Sequence, residues 1–165
     1  MNVTIRPATA ADIPEILVIV NHAIAHTTAI YDYDPRTLEM QLAWYDDKKT
    51  AGFPVIVADY GGKAIGFGAY GAFRQRAAYQ YTVEHSVYVA EEYHGNGIGR
   101  IILEELIALA RAEKRHLMIG AIDASNEGSI AFHKRLGFTE ACVIKEVAFK
   151  FDRWLDLTLM ELKLE

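Results

Sequence analysis

A chain of 165 residues, 52% apolar and 24% charged, has ordinary globular proportions; it can bury about 70% of its unfolded surface, which excludes disorder and suits one domain over residues 1–165. Its net charge of −5 and dispersed basic residues exclude a nucleic-acid surface of the usual basic kind and point to a small partner. The single cysteine, Cys142, excludes an internal disulfide or a thiolate zinc cluster, suits a reducing compartment and reads as a buried small hydrophobe.

In chain order, Val3-Thr4-Ile5-Arg6 alternates and meets Pro7, predicting a short first strand after a start, Met1 to Pro7, with no basic leader or apolar signal core. Asp12 stands as the N-cap of a helix over Ile13 to Ile24, with Pro14 in its first turn and Ile16, Leu17, Val20 and Ile24 as its apolar stripe. Thr27 to Pro35 lacks periodicity and predicts a loop presenting Ile30, Tyr31 and Tyr33; a second helix follows with Leu38, Leu42 and Tyr45. Pro54–Ala58 and Ala64–Tyr70, joined at Gly61-Gly62, predict a hairpin that a strand over Tyr81 to Val89 extends into an antiparallel meander. The connection Phe73–Tyr79 is too polar for a core strand.

From Ile98, the residues Ile98, Ile101, Ile102, Leu106, Leu109 and Ala110 keep helical spacing. Leu117–Ile122 is continuously apolar, as in a strand covered on both faces. Ser125 or Asn126 can cap the next helix, which runs to about Leu136 and stops at Gly137. Val143–Phe151 and Trp154–Leu164 close the chain as two antiparallel strands. No stretch reaches the roughly 18 apolar residues of a membrane span, so the expected location is the cytoplasm, with no membrane partner.

Between the meander and the third helix lies Tyr93-His94-Gly95-Asn96-Gly97-Ile98-Gly99-Arg100. Three glycines in five residues leave backbone N–H groups unshielded at a helix start, where the helix dipole also favours an anion, so this turn is a phosphate-binding device. It is not a P-loop, because no Lys-Ser or Lys-Thr pair follows, and it is not the dinucleotide fingerprint, because Ile102 stands where the third glycine belongs. The preceding Val83–Val89 alternates, putting Glu84, Ser86 and Tyr88 on one face and Val83, His85, Val87 and Val89 on the other.

Strand, x-x-Gly-x-Gly turn and helix together resemble the pyrophosphate loop of the GNAT N-acetyltransferases, with His94 at the usual Gln/Arg position. A second anchor, Asn126 followed by Phe132-His133-Lys134-Arg135-Leu136-Gly137-Phe138, resembles the family's Asn turn and Tyr-x-x-x-Gly-Phe helix end. Arg6-Pro7-Ala8-Thr9, Thr82–Val89 and Phe151-x-Arg153-Trp154-Leu155-Asp156 are similar to the phosphinothricin and methionine sulfoximine/methionine sulfone acetyltransferase group. The resemblance implies an α/β (α+β) GNAT fold, a mixed central sheet of about seven strands with four helices, and acetyl-coenzyme A as co-substrate. It also implies a small amino-acid acceptor and a homodimer. On it, Val87, Tyr88 and Val89 hold the pantetheine and offer N–H groups to the acetyl oxygen, Gly95, Asn96, Gly97, Ile98, Gly99 and Arg100 hold the pyrophosphate, Asn126 contacts the pantetheine arm, and His133 stands where many members carry a tyrosine acid.

An amine attacks a thioester only as the free base, so a proton acceptor is needed, and Glu84 is the candidate. The bland alternative is a strand carboxylate paired with an arginine. His133 is either the acid for the departing thiolate or a capping cation at a helix end. Arg74, Gln75 and Arg76, together with Glu84, His85 and Ser86, are the candidate acceptor contacts; the two arginines either clamp a carboxylate or are simply solvated. The six histidines show no ligand spacing, so no metal is expected. Two other readings stay open: a protein or peptide N-terminal acetyltransferase, and an acetyl-coenzyme A sensor without turnover.

Overall fold

Alternating strands and amphipathic helices assemble into one mixed sheet with helices on both faces, as a computed structural model of Met1–Glu165 describes. The strands are β1 (Thr4–Pro7), β2 (Val55–Tyr60), β3 (Lys63–Ala72), β4 (Thr82–Val89), β5 (Leu117–Asp123), β6 (Thr139–Lys150) and β7 (Arg153–Lys163). The helices are α1 (Ile13–His26), α2 (Leu38–Thr50), α3 (Ile98–Ala112) and α4 (Glu127–Arg135). The sheet order is β1-β2-β3-β4-β5-β7-β6, antiparallel throughout except where β4 meets β5.

Period-two alternation sorts each strand between two cores. On β2, Val55 and Val57 point into a cluster with Ile13, Ile16 and Val20 of α1, while Ile56 and Ala58 point into one with Ile102, Leu103 and Leu106 of α3. Burying such side chains stabilises the fold by about 1.5 to 3 kcal/mol each before entropy is counted. Gly68 lets α3 settle on β3, since a Cβ there would lie 2.5 Å from Ile102 Cγ2.

The feature that positions the site is a parting of the sheet. β4 pairs with β3 from Gly66↔Val89 to Ala72↔Val83. With β5 it pairs only at Thr82↔Leu117, Val83↔Met118 and Glu84↔Ile119. β5 instead stays with β7 along its whole length, from Leu117↔Lys163 to Asp123↔Leu157. Beyond Glu84 the two strands diverge into a wedge.

Several expectations are corrected. Cys142 is exposed, because β6 is the outer edge of the sheet and nothing crosses it. Asp12 makes no side-chain cap for α1. Its carboxylate accepts two hydrogen bonds of 2.8 Å from the Arg6 guanidinium and one of 2.7 Å from the Thr9 N–H, linking β1 to the turn before α1. Of the two candidate caps for α4, Asn126 is the one used, accepting from the Ser129 N–H at 3.1 Å, while Ser125 turns to Asp123. Leu38 stays exposed on α2, and the polar Gln41 is buried instead. No helix is long and apolar enough to cross a membrane.

Candidate active site

A cavity of about 1070 Å³ fills the wedge between β4 and β5. One wall is β4 itself. Ala90 N–H bonds back to Ile65 and Thr82 C=O to Phe73, so the even-numbered residues face β3 and the odd-numbered ones face the gap. The backbone groups of Val87 and the N–H of Val89 therefore point into the cavity with no strand partner, the arrangement an extended amide-bearing ligand needs.

The floor is the glycine turn. Gly95 and Gly97 take φ of +79° and +76°, a region open chiefly to glycine, and Gly97 is the N-cap of α3. The first intrahelical bonds run from Arg100 and Ile101 to the Gly97 carbonyl, so the N–H groups of Ile98 and Gly99 stay free at the positive end of the dipole. A Cβ at Gly99 would come no closer than 3.8 Å to another side chain, so packing alone does not demand glycine there, whereas a close approach by an anion would. These groups fit a pyrophosphate. His94 donates from Nε2 to the Val89 carbonyl at 2.8 Å, stapling the turn to the end of β4. The Asn96 side chain is spent on the carbonyls of Tyr93 and His94 and does not line the cavity, unlike Arg100 and Asn126.

At the apex, Glu84 and Ser86 lie on the α1/α2 side of β4, where they line both this cavity and a smaller one of about 340 Å³ carrying Lys48 and Gln75. Burial raises the Glu84 carboxyl above the ordinary carboxylate range, against the pull of Arg74 and Lys48. Lys48 is itself pushed down by burial and donates to the Tyr70 carbonyl at 3.2 Å. It escaped notice in the sequence because α2 carries several charged residues and nothing in their spacing distinguishes the one that turns inward. Arg74 and Arg76 are exposed and line neither cavity; Arg74 stacks on Phe73, 4.4 Å from the ring centre.

His85 sits on the opposite face from Glu84, buried against His133 and Phe138, so it does not join Glu84 and Ser86 on the α2 side. His133 Nδ1 donates to the Ser129 carbonyl at 2.7 Å, and its Nε2 lies 3.1 Å from His85 Nε2. Since Nδ1 of His133 carries its proton, Nε2 accepts one from His85, and His85 Nδ1 is left as a buried lone pair without a partner. Burial pushes both rings toward the neutral form: His85 falls to about 3, and His133 shifts the same way. At His133 this desolvation works against a capping cation.

Across the mouth, the loop after α1 supplies Thr28, Ala29, Ile30 and Tyr31 to the lining. The Tyr31 hydroxyl donates to Asp123 Oδ2 at 3.0 Å, joining the loop to the end of β5 on the far arm.

The sequence profile described as the acetyltransferase (GNAT) family matches residues 20–138. The chain belongs to this family. A relative from Pseudomonas aeruginosa, an L-methionine sulfoximine/L-methionine sulfone acetyltransferase, is 43% identical over all of this chain and 96% of its own. A solved acetyltransferase structure from Salmonella typhimurium, holding its cofactor acetyl-coenzyme A, is 42% identical with a TM-score of 0.97, covering 100% of this chain and 95% of that one. A ribosomal-protein-alanine N-acetyltransferase structure from Brucella melitensis is 43% identical with a TM-score of 0.95, covering 97% of this chain and 99% of that one. This GNAT chain is an acetyl-coenzyme A-dependent N-acetyltransferase with the family's seven-stranded fold.

The neutral histidine pair makes a pH prediction. Below about 6.5 the unfolded chain protonates both rings, whereas folded His85 resists down to about 3, so stability falls as pH drops through that window, by about 1.4 kcal/mol per pH unit for each extra proton. Urea unfolding between pH 7 and pH 5 should show this slope, and His85→Asn should flatten it by roughly one proton. An equal slope in the variant contradicts the assignment.

Proposed function

We propose that this enzyme acetylates the α-amino group of a small amino acid or analogue of the methionine sulfone, methionine sulfoximine or phosphinothricin kind, with Glu84 as general base. The observation that carries this reading is the half-buried Glu84 at the point where β4 leaves β5, lining the cavity whose mouth the Tyr31 loop crosses. Acetyl-coenzyme A supplies an acyl thioester; the free amides of Val87 and Val89 and the turn Gly95–Arg100 are suited to hold it. Glu84 takes a proton from the acceptor ammonium, and the freed lone pair attacks the thioester carbonyl directly; collapse of the tetrahedral adduct breaks the C–S bond, and the departing coenzyme A thiolate takes up the proton that the new amide nitrogen loses. Its raised pKa brings the carboxylate closer to the amine in proton affinity than an exposed glutamate would be. The name of the Pseudomonas relative supports the amino-acid acceptor.

In this scheme both His133 nitrogens are engaged, so we assign the ring to support of the wedge rather than to protonation of the thiolate. An acceptor carboxylate needs a cation; neither arginine lines a cavity, but Arg74 is near enough to bias Glu84 and is our choice, with Arg76 as a second contact. A second reading, acetylation of a protein N-terminus, is favoured by the name of the Brucella structure. We also place the enzyme in the cytoplasm, where the exposed Cys142 thiol stays reduced.

Steady-state kinetics with a panel of amino acids and an N-terminal peptide separates these readings. Glu84→Gln should lower turnover by about 10² or more and remove the acid limb of the pH profile, with acetyl-coenzyme A affinity nearly unchanged. Arg74→Ala should raise KM for methionine sulfone by about tenfold and leave an amine lacking the carboxylate little affected. Full turnover in Glu84→Gln, or a preference for the peptide, would remove the proposal.

Val143, Ile144, Val147, Phe149, Phe151 and Trp154 expose an apolar band along the free β6 edge and its hairpin tip. We propose that a second copy covers it in a homodimer. Sedimentation at micromolar concentration should give a dimer, and Trp154→Glu a monomer; a monomeric parent protein would sink this assignment.

A further inference from the structure

Lys150, the last residue of β6, is 4% exposed, and no carboxylate lies within ion-pair distance of it. Its ammonium has three donors and three partners: the carbonyls of Ile24 at 2.7 Å, Thr27 at 2.8 Å and Ile30 at 2.6 Å. Ile24 lies in the last turn of α1, Thr27 is that helix's C-cap, and Ile30 lies in the loop that follows. The cation therefore sits at the negative end of the α1 dipole and ties down backbone that has no strand or helix to satisfy it.

The tied loop is the one whose Thr28, Ala29, Ile30 and Tyr31 line the cavity mouth and whose Tyr31 reaches Asp123. A neighbouring bond repeats the link, because the Tyr33 hydroxyl donates to the Phe149 carbonyl, one residue before Lys150. The β6 end thus grips the loop from one side while Asp123 grips it from the other.

We infer that Lys150 is a positioning residue for the acceptor: by ordering Thr27–Tyr31 it shapes the cavity mouth through which the amine reaches Glu84, without touching the pyrophosphate turn. This rests on the proposed placement of the acceptor between the Tyr31 loop and Glu84. Removing the ammonium leaves three carbonyls unpaired, two of them buried, so the loop leaves its present path, whereas β4 and the Gly95–Arg100 turn keep all their own contacts. A residue that only stabilised the fold would affect acceptor and acetyl-coenzyme A alike.

The test is Lys150→Met, with Tyr33→Phe as a milder second variant should the first fail to fold. Acceptor KM should rise about tenfold in Lys150→Met and about threefold in Tyr33→Phe, with the affinity for acetyl-coenzyme A unchanged within twofold. Amide hydrogen exchange should quicken at residues 27–31 and not at residues 95–100. An unchanged exchange rate at 27–31 overturns the inference whatever acceptor the parent enzyme proves to use; so does a parallel loss of acetyl-coenzyme A affinity. Absence of amino-acid turnover in the parent enzyme, with exchange still quickened at 27–31, would instead overturn the amino-acid reading alone.

Discussion

The structure depends on a strand pairing that stops early. β5 is held by β7 along its full length, while β4 is held by β3, and the two halves share only the three pairs that end at Glu84↔Ile119. At that fork the stacked rings of His85 and His133, with Phe138 edge-on to both, fill the space beside Gly120, where a Cβ would lie 3.0 Å from His85 Nε2. A buried aromatic wedge thus occupies the fork, and the backbone amides that a continued sheet would have consumed are left for a ligand.

The same parting explains the electrostatics. Side chains at the fork lose water without gaining a strongly charged partner, so each shifts toward its neutral form: the two histidines downward, the Glu84 carboxyl upward. The outcomes differ in use. Both nitrogens of His133 and one of His85 are committed within the protein, whereas Glu84 forms no hydrogen bond or ion pair and faces open cavity on two sides. An ionisable group that is desolvated, unpaired and reachable is suited to proton transfer; one that is desolvated and fully bonded is suited to support.

Period and punctuation made most of the fold legible in the sequence. The alternation over Thr82–Val89, the continuous apolar run at Leu117–Ile122 and the glycine stop at Gly137 each report a local preference that the tertiary structure leaves in place. The glycine turn was readable for the same reason, since its backbone conformation is a property of adjacent residues. What stayed hidden is whatever depends on residues far apart in the chain. Nothing local says that β6 becomes an edge and exposes Cys142, that Asp12 prefers the Arg6 guanidinium to a helix cap, or that His85 meets a histidine 48 positions away. Lys150 is the extreme case: its partners lie 120 to 126 residues earlier and are all backbone carbonyls, which no side-chain pattern can announce.

We propose that the fork holds the cofactor on backbone left unpaired where β4 leaves β5. Residue-resolved amide exchange with and without acetyl-coenzyme A addresses it directly. Binding should slow exchange at Val87, Val89, Ile98 and Gly99 while leaving the β6–β7 hairpin unchanged; protection confined to other segments, with those four amides as fast as in the free protein, would contradict the account.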